Sequence, residues 1–271
     1  MKAVIAITKR IIKDSKTSFI TLAVVAIVFG TLSVLFFPAI KESGQAFAEI
    51  LKSMPPEFTK ALNITSTDLG NFETYIATRY LGLVGIIIFV IFILGWATRL
   101  AHDAEKGTLA LVLAQPVRRN ETLLAHLFAI LLQTLVLILI VAASVLIPAA
   151  LIGVDVSYLN WLKYSLHLLL TLSAFASLTL AISIIVMSKS KTMAIAGSIF
   201  GASYLLDFFS KLVADLENIR YFSLLYYYGD PTELLKNGTL DTTALLIFFV
   251  VTIISVTASF LLFKKRDLPN G

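Results

Sequence analysis

Residues 122–154 read TLLAHLFAILLQTLVLILIVAASVLIPAALIGV, 33 consecutive positions without an Asp, Glu, Lys or Arg. A helix needs about 20 apolar residues to cross the hydrocarbon core of a bilayer, so this run is longer than one crossing requires and too short for two. Pro148 near its end predicts a kink or a stop, which sets the span at about 122–150. The same test along the chain finds uncharged runs of 24, 19, 25 and 22 residues at 17–40, 80–98, 164–188 and 242–263. A sixth run begins at Thr192 and reaches Asp207 after 15 residues. Its helix either ends there or carries Asp207 and Lys211 near its outer end, and we expect it to cover 192–212. The composition agrees, with 58% of the 271 residues hydrophobic and 14% charged, at a mean hydropathy of +0.90. Soluble domains run about 45–50% apolar and about 25% charged. The expected fold is a single all-α integral membrane domain over 1–271 with six transmembrane helices, and disordered and nucleic-acid-binding classes are excluded. Zero cysteines exclude disulfides, thiolate metal sites and a cysteine nucleophile.

The loops give the orientation, because Lys and Arg accumulate on the cytoplasmic side. Segments 1–16, 99–121, 189–191 and 264–271 carry 14 basic and 5 acidic residues, a balance of +9. Segments 41–79, 155–163 and 207–241 carry 8 basic and 12 acidic residues, a balance of −4. Both termini are therefore expected in the cytoplasm of a cell-membrane, multi-pass protein. Ala46-Phe47-Ala48 resembles a signal-peptidase site, but a cleavable apolar core is about 7–15 residues long and the run before it has 24. Residues 1–16 place Val4, Ile7 and Ile11 on one stripe and Lys2, Lys9, Lys13 and Lys16 on another. That pattern suits an amphipathic surface helix or a solvated start to the first span.

The two long outer segments, 41–79 and 213–241 beyond the fifth span, carry helical patches. Phe47, Ile50, Leu51 and Met54 repeat at helical spacing before Pro55-Pro56, with Phe58 and Leu62 after that break. In the second segment Tyr221, Phe222, Tyr226, Tyr227 and Tyr228 cluster. Tyr226, Tyr227 and Tyr228 are outer-gate candidates, with anchoring in an interfacial aromatic belt as the competing reading.

The inner segment 99–121 is the most informative. It runs from His102-Asp103-Ala104-Glu105-Lys106-Gly107-Thr108 through Leu109 to Ala114, then Gln115-Pro116-Val117-Arg118-Arg119. The apolar core is too short to cross a bilayer and is bracketed by charge, so a short helix along the membrane surface is expected. Thr108 is its expected N-cap and Pro116 its stop. Its apolar face needs lipid or a groove on another protein.

This run, Glu105-x-Gly107-Thr108-Leu109, an apolar turn, Pro116-Val117-Arg118-Arg119 and then Leu123-Leu124, resembles the signature of type-2 ABC transporter permeases. Tyr228-Gly229-Asp230-Pro231 with Leu234-Leu235, and Phe263-Lys264-Lys265-Arg266-Asp267 after the last span, agree with it. Gln115 and Arg118 stand where small polar residues are usual, and Ala125-His126 replaces a frequent Gly-Lys, which leaves the class intact and blurs the subfamily. The resemblance implies that 99–121 is a cytoplasmic coupling loop whose short helix docks on a cytosolic ABC ATPase subunit, present in two copies. Contacts would come from Glu105, Gly107, Thr108, Leu109, Leu111, Leu113, Pro116, Arg118 and Arg119. It further implies a second permease copy, as a homodimer, and export driven by ATP and Mg bound on the partner subunit.

No Gly-x4-Gly-Lys-Ser/Thr loop, His-Glu-x-x-His or Gly-x-Ser-x-Gly motif occurs, and His102, His126 and His167 are dispersed. We therefore expect no catalytic residue, no metal site and no cofactor on this chain. His126 and Gln133 share a face of span three and read as packing residues. Asp207 and Lys211 are one turn apart, and a rise of about 1.5 Å per residue puts Asp207 roughly 22 Å beyond Thr192, where an interfacial ion pair fits. Gly197 and Gly201, with Ala194, Ser198 and Ala202, form a small-residue surface for helix packing, either within the chain or against the second copy. A scaffold that transmits ATP energy without carrying a substrate remains an alternative. A stand-alone membrane enzyme or channel is more distant, since no residue set supports it.

Overall fold

The structure, a computed structural model, describes residues 2–53, 55 and 70–266. Phe58, Leu62 and Asp267, and the side-chain register of Phe47, Ile50, Leu51 and Met54, lie outside what is described. Among the described residues the chain is 88% helix without strands. Six helices are long and apolar enough to cross a membrane, within Lys2–Lys41, Val84–Glu105, Arg119–Leu151, Tyr158–Val186, Lys189–Leu212 and Thr242–Lys265.

Helix α1, Lys2–Ser53, corrects one expectation: residues 2–16 are not a separate surface helix. No Gly or Pro interrupts positions 2–29, so nothing breaks the helix between the basic segment and the apolar run. The stripe of Val4, Ile7 and Ile11 is present, but it packs on Ala125 and Ala129 of the third span instead of on lipid. Thr8 fixes that contact by donating to the Ala125 carbonyl at 3.2 Å.

The chain returns through α2, Phe72–Ile76, and a π-helical turn over Ala77–Leu81. The second span begins after Gly82 as α3, Leu83–Ala97, so Tyr80 precedes the span instead of opening it. Beyond Thr98 the helix resumes as α4, Arg99–Glu105, and a short α5 covers Thr108–Leu113. The third span, α6, is Arg119–Leu151. Pro148 does not stop α6, which continues three residues further. A proline leaves the carbonyl four residues back without its helical donor, and here the Ser144 carbonyl accepts from Thr31 Oγ1 of α1 at 3.5 Å.

At this same level α1 and α6 cross closely. A Cβ on Gly30 would lie 2.2 Å from Ser144 Oγ and 3.0 Å from Tyr80 Cζ, so only glycine lets the backbones approach. The Tyr80 hydroxyl fills the crossing, donating to the Ala26 carbonyl at 2.9 Å beside Ser144 Oγ at 3.1 Å.

Helix α7, Tyr158–Val186, is the most enclosed of the six spans. It contacts α3, α6, the fifth span α8, Lys189–Leu212, and the sixth span α11, Thr242–Lys265. Ala174, Ala176, Ser173, Ser177 and Ser183 keep its buried surface thin. Ser177 and Thr179 return their hydroxyls to the helix's own carbonyls, while Ser183 donates to Ala97 of α3 at 3.1 Å. Between α8 and α11 lie a 3-10 segment Ala214–Phe222, then α9, Leu224–Tyr228, and α10, Pro231–Asn237. Asp207 and Lys211 form the expected ion pair at 2.6 Å.

Candidate functional site

The candidate site is the α3–α6 connection. Thr98 ends α3 by donating its hydroxyl to the Gly95 carbonyl at 2.9 Å, and α4 continues the chain past the end of the apolar run. Gly107 adopts φ 71, a left-handed conformation that a side chain would oppose, and so turns the chain sharply into α5. Gly107, not Thr108, is the N-cap of α5. The Thr108 hydroxyl instead donates back to the Asp103 carbonyl at 3.0 Å, bracing the turn against α4. At the far end Pro116 disfavours helix at Gln115, and the Val117 N–H closes a tight turn on the Gln115 carbonyl at 2.6 Å. Helix α6 then opens with Glu121 accepting from the Arg118 N–H at 2.9 Å.

This geometry sorts the expected contact residues. Leu111 is 70% exposed, whereas Leu109 is 2% exposed and belongs to the chain's own core. Leu113 is half-buried against that core. Leu109 is therefore removed from the outward-facing set, because the turn at Gly107 points it inward. Ala110, Ala114, Gln115, Pro116 and Arg118 are exposed beside Leu111.

Glu105 and Arg119 are also committed within the chain. Glu105 accepts from Ser188 Oγ at 3.2 Å and from the Lys189 N–H at 3.1 Å, so its carboxylate sits on the N-terminus of α8. Arg119 reaches the opposite polarity. Its Nη1 donates to the carbonyls of Arg266, Phe263 and Lys264 at 2.6, 3.3 and 3.4 Å, at the C-terminal end of α11. The loop carrying α5 is thus tied on one side to the fifth span and on the other to the sixth.

A charged chain beneath the loop was not foreseen. Arg99 donates to Asp14 of α1 at 2.7 Å and forms an ion pair with Asp103 of α4 at 3.2 Å, and Arg10 lies 3.7 Å from Asp14. His126 Nδ1 meets its own helix at the Thr122 carbonyl, 2.9 Å away, leaving Nε2 3.9 Å from Asp103, too far for a hydrogen bond. Gln133 donates to Ser15 of α1 at 2.7 Å, so of the two residues read as packing residues Gln133 joins two helices, whereas the hydrogen bond of buried His126 stays within α6. Arg99 and Asp103 are visible as an i,i+4 pair, but nothing in the sequence announces Asp14 as their partner. Next to this chain a cavity of about 350 Å³ opens between α1 and α8, lined by Ser18, Trp96, Arg99, Gln133, Lys189 and Met193 among others.

The remaining expected residues separate. At Gly197 and Gly201 no atom would lie within 4 Å of an added Cβ, and Ala194, Ser198 and Ala202 are exposed. Among the described residues the small-residue stripe therefore packs on nothing else in the chain. Tyr228 is not part of an exposed lip: it is 6% exposed, donates to the Leu81 carbonyl at 2.6 Å and lies 3.0 Å from the Tyr164 hydroxyl. Ser223 caps α9 and swings Tyr228 into the bundle. Tyr226 stays near the surface, with the Arg220 guanidinium 5.1 Å from its ring.

The family model described as ABC-2 family transporter protein matches residues 5–268. No curated protein matches the chain. With nearly its whole length matched and six membrane-crossing helices in place, the chain belongs to the ABC-2 transporter family, as a transmembrane permease subunit of an ABC transporter.

Proposed function

We propose that the chain is the permease of an ATP-driven exporter, and that α5 is its coupling helix on a cytosolic ABC ATPase subunit. The observation that carries this reading is the exposed face of α5, where Leu111 stands 70% exposed on a six-residue helix braced from both sides. A large apolar side chain held rigid in solvent suits a pocket on a partner. The +9 balance of the loops on this side supports placing α5 and both termini in the cytoplasm. ATP and Mg would bind the partner subunit, in two copies. The open stripe at Gly197 and Gly201 supports close packing on a second permease copy, in a homodimer. The cavity between α1 and α8 favours passage of a substrate over pure force transmission. Closure of the ATPase subunits would press on α5, and the Glu105 and Arg119 ties would carry the displacement to α8 and α11.

Charge reversal at Glu105 or Arg119 would break contacts inside the chain, so the test uses Leu111. Leu111→Asp should fold as the wild type does, yet lose co-purification with the cognate ATPase and stimulation of its turnover. Unchanged association with an unchanged ATPase rate would refute docking through α5. The chain has no native cysteine, which makes topology accessible to labelling. A cysteine replacing Leu111 should react from the cytoplasm and one replacing Ser66 from outside, and the reverse pattern would overturn the orientation.

A further inference from the structure

At the end of the bundle away from α5, a second cavity of about 310 Å³ lies among the outer end of α7, α9, α10 and the start of α11. That volume is at the small end of the range for small-molecule sites, about 300–1,000 Å³. Among the described residues its charged lining is of one sign, Asp230, Glu233 and Asp241. Its aromatic lining is Tyr164, His167 and the run Tyr226, Tyr227 and Tyr228.

The hydrogen bonds decide what chemistry this lining offers. Tyr228 donates its hydroxyl proton to the Leu81 carbonyl at 2.6 Å, and Tyr164 donates to Tyr228 at 3.0 Å. Tyr227 donates to the Tyr221 carbonyl at 3.1 Å. His167 Nε2 faces the Tyr228 carbonyl at 3.1 Å. A carbonyl only accepts, so Nε2 carries the proton and Nδ1 presents a lone pair. His167 is 6% exposed, and its Nδ1 has no hydrogen-bond partner among the described residues. The hydroxyl protons of Tyr164, Tyr227 and Tyr228 and the N–H of His167 are therefore committed to holding the wall together. Toward the cavity the lining presents lone pairs, ring faces and the negative charge of carboxylates that accept hydrogen bonds from neutral groups, Asn237 on Glu233 and the Thr243 N–H on Asp241. Burial, the neighbouring Tyr226 and Tyr221, and then the Asp241 charge also hold the Tyr227 phenol above its ordinary range.

A ligand here must supply hydrogen-bond donors or positive charge. Among the described residues no three His, Asp or Glu side chains are grouped to hold a metal ion. Diffuse negative charge with ring faces suits instead an ammonium ion. We infer that this cavity is a binding site for a small organic ammonium, held against Tyr226, Tyr227 and His167 in the field of Asp230, Glu233 and Asp241. This assignment does not depend on how α5 is used.

The test is titration of the full-length protein with choline, in nanodiscs of phosphatidylglycerol so that no lipid amine competes, read by saturation-transfer NMR of the N-methyl protons against NaCl at equal ionic strength. Wild type should bind saturably. Asp230→Asn and Asp241→Asn keep the caps that these residues place on α10 and α11, since Asn caps as well as Asp. Combined with Glu233→Gln they should weaken binding at least ~10-fold with the melting temperature unchanged. Tyr227→Leu should weaken it roughly 2–30-fold, the worth of one ring face. If the triple variant unfolds, Glu233→Gln alone should still weaken binding measurably. Absence of saturable choline binding, equal affinity in the folded charge variant, or displacement by Ca²⁺ below the concentration at which methylammonium competes would each overturn the assignment.

Discussion

Arg119 offers the sharpest prediction because its bonds fall on one helix end. Its guanidinium meets three carbonyls at the C-terminus of α11, but a single nitrogen makes all three contacts, and only that to Arg266 at 2.6 Å is short. One charge-assisted bond is worth about 1.5–3 kcal/mol in a shielded setting. The Arg266 carbonyl lies at an exposed site, which lowers that figure, while the charge itself adds about 0.3–1 kcal/mol against the helix dipole. Replacing Arg119 by Met keeps the aliphatic stem and removes the donors, so we predict a local loss of about 1–2 kcal/mol. Expressed as hydrogen exchange, the amides of the last turn of α11 should open about 5–30-fold more often. Amides in the centre of α7 should be unchanged. Arg119→Lys, with charge but no fork, should fall between the two. Mass-spectrometric exchange on the reconstituted protein measures this directly. Identical exchange in wild type and Arg119→Met at the end of α11 would refute the idea that Arg119 ties the loop to the sixth span.

Other expectations are more local. Gly30→Ala should destabilise the fold by about 1–3 kcal/mol through overpacking against Ser144, seen as a lower thermal midpoint, and Ser144→Gly in the same chain should recover part of it. Tyr228→Phe leaves the Leu81 carbonyl and the Tyr164 hydroxyl without their partner, which predicts a loss of about 1–3 kcal/mol by the same measurement. Leu109→Ala should cost about 2–5 kcal/mol because the side chain is fully enclosed, whereas Leu111→Ala should change the midpoint by less than about 0.5 kcal/mol. Equal effects at the two leucines would refute the distinction between an inward and an outward face of α5, and the reverse order would show the two exchanged.

The spans were legible because freedom from charge over about 20 residues is a property of the chain read in order, and 242–263 and 164–188 needed nothing else. The limits of each helix were less so. Lys2 to Lys16 looks like a separate element only as long as its stripe lacks a partner, and the partner, Ala125 and Ala129, lies in another span. In α5 the motif identified the helix, but which leucine faces outward depends on the dihedral angle of Gly107, which no spacing rule gives. Glu105 and Arg119 read as contacts for a partner subunit until Lys189 and Arg266 come within reach across the fold. Tyr228 has the same composition signal as Tyr226 and Tyr227, and only the turn at Ser223 sends it inward. Glu105, Arg119 and the stripe of the first helix misled because their contacts lie more than 80 positions away, whereas Leu109 and Tyr228 turn on local backbone angles that composition does not reveal.

The uninterrupted first helix has a mechanical consequence. Its 52 residues correspond to about 78 Å at 1.5 Å per residue, against about 40–45 Å for a bilayer with its headgroups. It therefore acts as a beam that overhangs the membrane. Pro38 is the one proline within it, and a proline is where a long helix bends. The arm from Lys2 to Phe37 is about 54 Å long, so a 10° swing about Pro38 would carry its tip about 9 Å. Because Thr8 and Ser15 tie this arm to α6, small angular changes at Pro38 would thus emerge as larger translations of both helices at the end that bears Arg10 and Asp14, beside the loop that holds α5.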